Sequence, residues 1–298
     1  MRLFSTSAIV AAVLPLLALS GCNNSNKTIK TETFTFYDSA QYADVSVNAE
    51  LPTSVKGVAG AIRKGLIEVM DSQLAFIGSY EGERLFDPYD GDPSDNAALV
   101  DYYRRKAMEV MDSNAAQDHE ERVSYIMEDE DLSDNQKKDI IADIPRWEYD
   151  FNLGKQYETD RYVVFNSSDY IYLGGAHGGV IGQGSPTFDK KDGHLVTQFL
   201  RDDALAPMQS LMAAGLVEYF SDDEGTVNAE NLRDYLFLED DTIPFPAWTP
   251  HPTEDGLCFV YQQYEIAAYA MGMPSFVIPY EALKPYLTPE AADLLNIE

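Results

Sequence analysis

The chain has 298 residues, with 50 Asp and Glu against 21 Lys and Arg, for a net charge of −29 at pH 7. Such an acidic surface repels nucleic acid and anionic lipid, because like charges meet at the contact, and it favours cationic partners. Aromatic residues make up 12% of the chain, too many for a disordered polyanion, so a sizeable packed core is expected.

At the N-terminus, Arg2 supplies a positive charge and Ala8 to Leu19 form an apolar stretch interrupted by Pro15. That stretch is too short to span a bilayer as a helix but suits the apolar region of an export signal. Leu19-Ser20-Gly21-Cys22 follows and resembles the lipobox of bacterial lipoproteins. Small residues there fit the signal peptidase, and the thiol accepts the diacylglyceryl group. Residues 1–21 therefore read as a lipoprotein signal peptide, Cys22 as the lipidated residue, and 22–30 as a polar tether. The expected location is the bacterial cell envelope, with membrane lipid as a partner through acylated Cys22. Asn23, rather than aspartate, after the cysteine points to an outer membrane, facing periplasm or surface, in a Gram-negative cell. No later segment is apolar enough to cross a membrane. With Cys22 acylated, Cys258 has no thiol to pair with, and in the run Leu257-Cys258-Phe259-Val260 it reads as a buried small hydrophobe.

Thr31 to Tyr37 alternates like a strand, and a second strand is expected around Tyr42 to Asn48. Pro52 and a Thr53 or Ser54 cap open a helix with Val58, Ile62, Leu66, Val69 and Met70 on one face. After a loop from Gly82 to Asn96, Leu99, Tyr103, Ala107 and Val110 mark another helix. Asp112 to Glu130 reads as a solvated helix or loop. Ser133 and Gln136 have capping-box spacing before Ile140, Ile141 and Ile144, and Pro145 ends that helix.

Strands are expected at Trp147 to Leu153, Arg161 to Phe165 and Asp169 to Gly174, then a hairpin over Thr187 to Phe199 turning at Asp192-Gly193. Leu205, Met208, Met212, Leu216 and Tyr219 mark an amphipathic helix. Gly256 to Tyr264 and Pro274 to Ile278 read as strands, and Tyr280 to Leu287 as a closing helix. Runs of strands punctuated by separate helices give an α+β class, with antiparallel sheets packed by helices in two lobes. The lobes are an N-terminal one over 31–146 and a C-terminal domain over 147–298.

Chemical motifs are sparse. His119, His177, His194 and His251 have no zinc-binding spacing. Asp90, Asp92, Ser94 and Asp101 fall at positions of a calcium loop, but Asp95 stands where that loop needs glycine, so the segment reads as a turn that caps the next helix. His177, between glycine pairs, has no nucleophile elbow or orienting acid beside it in sequence, which favours a structural role. No catalytic residue, metal or cofactor is assigned. Tyrosines and Trp248 are candidates for an interface or for stacking on sugars, and mostly for core.

Tyr170-Ile171-Tyr172-Leu173-Gly174-Gly175-Ala176-His177-Gly178 is the most distinctive stretch. Next come Phe188-Asp189 and Asp192-Gly193, then Gly256 to Tyr261, Tyr264-Glu265-Ile266-Ala267, and Val277 to Leu283. In that order these segments resemble an uncharacterised extracytoplasmic domain family, over roughly Phe34 to Leu287. It occurs in lysozyme-sensing anti-sigma factors and beside a peptidoglycan deacetylase domain. The resemblance implies an α+β fold and an envelope binding module for a muramidase or wall glycan, with Tyr172, His177, Trp248 and Tyr264 as candidate binding residues. With the charge, it favours a non-enzymatic protein that binds a cationic protein such as a lysozyme-type muramidase. The alternative is a hydrolase or binding protein acting on peptidoglycan or another envelope polysaccharide.

Overall fold

The computed structural model describes residues 28–77, 82–175, 178–221 and 227–297. The export signal, Cys22 and His177 lie outside the described residues.

Strands β1 (Thr31–Ser39) and β2 (Ala43–Pro52) form an antiparallel hairpin. In β2, Ala43, Val45, Val47, Ala49 and Leu51 are fully buried, while Asp44, Ser46, Asn48 and Glu50 alternate with them on the other face. A period of two is what a sheet covered on one side requires. Helix α1 (Gly57–Leu74) covers that side with Ile62, Leu66, Met70 and Leu74, one per turn. It begins later than expected, and neither Thr53 nor Ser54 caps it; Lys56 precedes it without a side-chain cap. The reason is that β2 continues through Pro52 and Thr53 N–H bonds back to the Lys30 carbonyl, so 53–56 are spent on the turn.

Helix α2 (Asn96–Glu128) is capped by Asp95, which accepts from Ala98 N–H at 2.9 Å. Asp92 accepts from the Ser94 amide and hydroxyl, and Asp101 pairs with Arg104 and Arg105. The Asp-rich loop thus performs turn and cap chemistry. Every buried residue of α2 lies between Asn96 and Ala115. Helix α3 (Asp134–Ala142) has the Ser133/Gln136 capping box but buries nothing. The end of α2 and all of α3 therefore form a solvated arm.

Strand β3 (Trp147–Glu158) pairs in parallel with β2 and antiparallel with β4 (Tyr162–Tyr172). Both β5 (Val180–Gly184) and β6 (Thr187–Asp189) pair with β4. The two strands expected at 161–165 and 169–174 are one: the polar Asn166-Ser167-Ser168 stays extended, with Ser167 Oγ donating to Gln73 Oε1 of α1. The turn at Asp192-Gly193 forms, but only 187–189 of that hairpin is a strand, with one bridge from Phe188 to Leu195.

The remaining elements are α4 (Leu205–Phe220), β7 (His251–Pro252), β8 (Gly256–Val260), β9 (Ser275–Pro279), α5 (Tyr280–Leu283) and α6 (Pro289–Leu295). β7, β8 and β9 form a second, antiparallel sheet. β8 stops at Val260, short of the expected Tyr264, which has φ +66° and cannot extend a strand.

Apolar side chains gather into two cores. One lies between the large sheet and α1 and α2; the other joins α4, β8, β9 and α6 to Tyr162 and Val164 of β4. Val163 and Phe165 point into the first core, so this half of β4 is buried on both faces. The second core therefore covers the outer face of the large sheet at its β4 and β6 end. The large sheet runs through the expected division at 146/147, because β3 and β4 complete it.

Ile29 N–H donates to Glu158 at 2.8 Å, and Lys155 donates to the Ile29 carbonyl at 2.9 Å. Burial pushes the Glu158 carboxyl up, but Lys190, the Ile29 amide and Lys155 outweigh it and hold the group below its ordinary range. The chain thus enters the fold at the Glu158 end of β3. No helix among the described residues is long and apolar enough to cross a membrane.

Candidate functional site

Away from that end, the outer face of the large sheet is left uncovered. Parallel register sets Asp44 beside Glu148 and Ser46 beside Asp150; antiparallel register sets Glu148 opposite Tyr172 and Asp150 opposite Tyr170. On the other edge, Tyr37 lies opposite Ser46. Side chains in one cross-strand row share a face and touch. The result is an acidic patch of Asp44, Glu148 and Asp150 edged by three tyrosines.

The local electrostatics follow from that crowding. Tyr37 donates to Asp44 at 2.8 Å, which pushes its phenol up, and its ring is 67% exposed. Arg146 bridges Asp44 at 3.0 Å and the Ala40 and Ala43 carbonyls. Burial raises the Asp150 carboxyl, Ser46 partly offsets this, and Asp44 adds a like charge. Burial also raises the Tyr170 phenol, followed by the charge of Glu148. Anions beside phenols hold them protonated as donors.

From Tyr172 the chain enters the glycine loop. Arg122 of α2 donates to the Gly174 and Leu173 carbonyls at 2.8 and 3.1 Å and pairs with Asp118. At the loop's far end Tyr269 donates to the Gly179 carbonyl at 2.7 Å. The Tyr170 ring lies against Gly179, where any Cβ would overlap it. Tyr264, 54% exposed, tilts against Tyr269 with ring centroids 5.5 Å apart.

The turn that presents Tyr264 is braced on both sides. Glu265 accepts from the Gln262 and Ala247 amides at 2.6 Å each. Gln263 accepts from Ile181 N–H at 2.7 Å, and Gln262 both accepts from Gln183 N–H and donates to its carbonyl at 2.9 Å. Two glutamine side chains thus stand where a further strand would pair with β5, which closes an edge that would otherwise invite another chain.

Of the residues singled out from sequence, Tyr172 and Tyr264 flank this glycine-loop rim. Trp248 does not join them. It rests on Gly184 at the other end of β5, about 17 Å along the strand from Gly179. Asp44, Glu148, Asp150, Tyr37, Tyr170 and Tyr269 were missed. The signal for the acids was present as the polar half of two alternating strands.

The other titratable groups do different work. Burial pushes His251 down to about 4 and raises the Cys258 thiol, so neither is activated toward the other. His194 is held between Asp192 at 2.6 Å and Glu290 at 2.9 Å, and its hydrogen bond to Asp192 raises it. His119 lies against the Tyr42 ring, with centroids 4.9 Å apart. Asp169, on the helix-facing side of β4, is pushed by burial to about 6. Among the described residues no cluster of three or more His, Cys, Asp or Glu could hold a metal ion.

Residues 197–281 match the family model described as "Protein of unknown function (DUF3298)". The matched segment includes Trp248 and Tyr264 and leaves the acidic patch outside it. The chain is similar to the crystal structure of a DUF3298 family member from Bacteroides fragilis NCTC 9343. The TM-score is 0.60 at 16% identity, covering 92% of this chain and 99% of that one. It is also similar to a DUF3298 family protein from Pseudomonas aeruginosa PAO1, with a TM-score of 0.51 at 13% identity, covering 89% and 97%. At such identities the likeness shows the fold, a mixed α+β arrangement of largely antiparallel sheets packed by helices. No curated protein matches the chain.

Proposed function

We propose that this chain is an envelope lipoprotein, anchored through acylated Cys22, whose folded part is a non-enzymatic binding module for a cationic protein. The observation that carries the reading is the uncovered outer face of the large sheet, where Asp44, Glu148 and Asp150 meet Tyr37, Tyr170 and Tyr172. Carboxylates pair with Lys and Arg, and tyrosine faces take cations and apolar stems at little entropic cost. Placement supports it too. The tether enters at Glu158, and Glu148 lies about 33 Å away along β3, so an anchored chain presents the patch away from the membrane. A net charge of −29 would speed the encounter with a basic partner. A lysozyme-type muramidase is the leading candidate, as the resemblance above implies.

The test is calorimetric titration of the chain from Thr28 with a basic lysozyme at two salt concentrations. Micromolar or tighter binding of defined stoichiometry is expected, weakened but not abolished by salt. A Glu148→Gln, Asp150→Asn double variant should bind about tenfold more weakly at low salt. Loss of all heat at moderate salt would leave only nonspecific charge attraction and sink the reading.

A further inference from the structure

Trp248 is placed by a glycine. The Gly184 backbone of β5 lies directly under the indole, and a Cβ there would overlap the ring. The segment around it is stiff and pinned, with Pro244, Pro246 and Pro250 flanking it. The Ala247 amide donates to Glu265 at 2.6 Å, and Thr249 Oγ1 donates to the Thr197 carbonyl at 3.2 Å. The ring is nonetheless 36% exposed and forms one wall of a cleft of about 300 Å³ between this segment and β6.

The lining is chemically specific. In a chain where 24% of residues are charged, no charged side chain among the described residues lines this cleft. Its polar groups are the hydroxyls of Ser185, Thr187, Thr197 and Thr249. Ser185 is only 7% exposed, and its carbonyl accepts from the Thr187 hydroxyl at 3.3 Å, which fixes the backbone at the floor of the cleft. A second hollow of about 390 Å³ continues across Thr197, Ala247, Thr249 and Pro250 towards Arg201 and Asp202, so only the part beside the indole is uncharged, and the two together have length for more than one ring.

We propose that this cleft binds a neutral saccharide. A pyranose has an apolar C–H face to stack on the indole and edge hydroxyls that exchange hydrogen bonds with Ser185, Thr197 and Thr249. A charged ligand would find no counter-charge in the hollow beside the indole, and a purely apolar one would strip water from the lining hydroxyls without replacing its hydrogen bonds. The site is separate from the acidic patch and does not rest on the cationic-partner reading.

The chain has two tryptophans, so its indole N–H resonances report the site directly. Trp147 serves as the internal control, since it lies at the start of β3 with its Nε1 bound to Asp118 of α2, and it is not among the residues lining the cleft. The full chain is titrated with the trisaccharides of N-acetylglucosamine, cellulose and maltose, each to about 20 mM. At least one is expected to shift the Trp248 signal saturably and leave Trp147 unmoved, with Trp248→Phe assigning the peak. Thr249→Val should weaken that binding about threefold to tenfold, and Gly184→Ala, which displaces the ring, should abolish it. No saturable shift with any of the three sugars would overturn the proposal. So would equal shifts of both indoles, or unchanged affinity in the Thr249 and Gly184 variants. The Glu148→Gln, Asp150→Asn chain should titrate like the wild type, which separates failure here from failure of the patch.

Discussion

The two faces of the large sheet are built from alternate residues of the same strands, yet they have opposite fates. On the helix side of β3, Tyr149, Phe151 and Leu153 are buried in the first core, while Glu148 before them and Asn152 between them are exposed. One face supplies stability and the other a surface, and the division rests only on which side of the pleat a residue points to. The helix side is also not uniformly apolar. Asp169 lies on it opposite Phe151, and the Tyr149 hydroxyl is buried without a hydrogen-bond partner among the described residues.

That contrast can be broken one residue at a time. Phe151→Ala should cost about 3–5 kcal/mol, because it empties a fully buried ring site that the rigid sheet cannot close, read by urea unfolding. A loss under 1 kcal/mol would mean that the core there is loose. Asp169→Asn should act in the opposite sense. The folded carboxyl is raised to about 6 from 3.8, so its native form holds the proton more tightly than the unfolded chain does. Its stabilising contribution is fully present below pH 4 and is lost as the pH rises through 6. The variant should therefore gain up to about 2–3 kcal/mol on wild type at pH 7.5, with the gap closing below pH 4. A constant difference across pH would place the effect elsewhere.

Burial keeps His251 neutral and lowers it to about 4, so its contribution is present above its unfolded value near 6.5 and is lost as pH falls through 4. In wild type the two slopes oppose each other between pH 4 and 6.5, and Asp169→Asn should uncover the histidine's. Tyr149→Phe removes an unpaired hydroxyl and should stabilise by about 1 kcal/mol in thermal melts. Asn152→Ala, next to Phe151 but on the outer face, should change stability by less than about 0.5 kcal/mol.

Much of this architecture was legible one element at a time. The alternation in β1 and β2, the one-per-turn apolar residues of α1 and α4, and the capping box of α3 each carry a local period, and each element formed near its expected place. β5 was not legible, because Gly182 and Gly184 within five residues read as a breaker. Those glycines are there for side chains distant in sequence: Asp169 fills the space over Gly182, and Trp248 the space over Gly184. The candidate site was half legible for the same reason. Tyr172 and Tyr264 stood out by type, whereas Glu148 and Asp150 looked like ordinary solvated acids until register set them beside Asp44, Tyr170 and Tyr172.

The sequence by itself determined the α+β class, the acidic character and most helices and strands, because these depend on composition and on periods read within a few residues. Tertiary structure alone decided that β2 and β3 run parallel across the intervening helical excursion of residues 53–146, so that the sheet joins what sequence divided at residue 146. It also decided that the Tyr162 to Phe165 run is buried on both faces, and that Gln262 and Gln263 close the β5 edge. Those outcomes depend on which distant segments meet, and no local period carries that information.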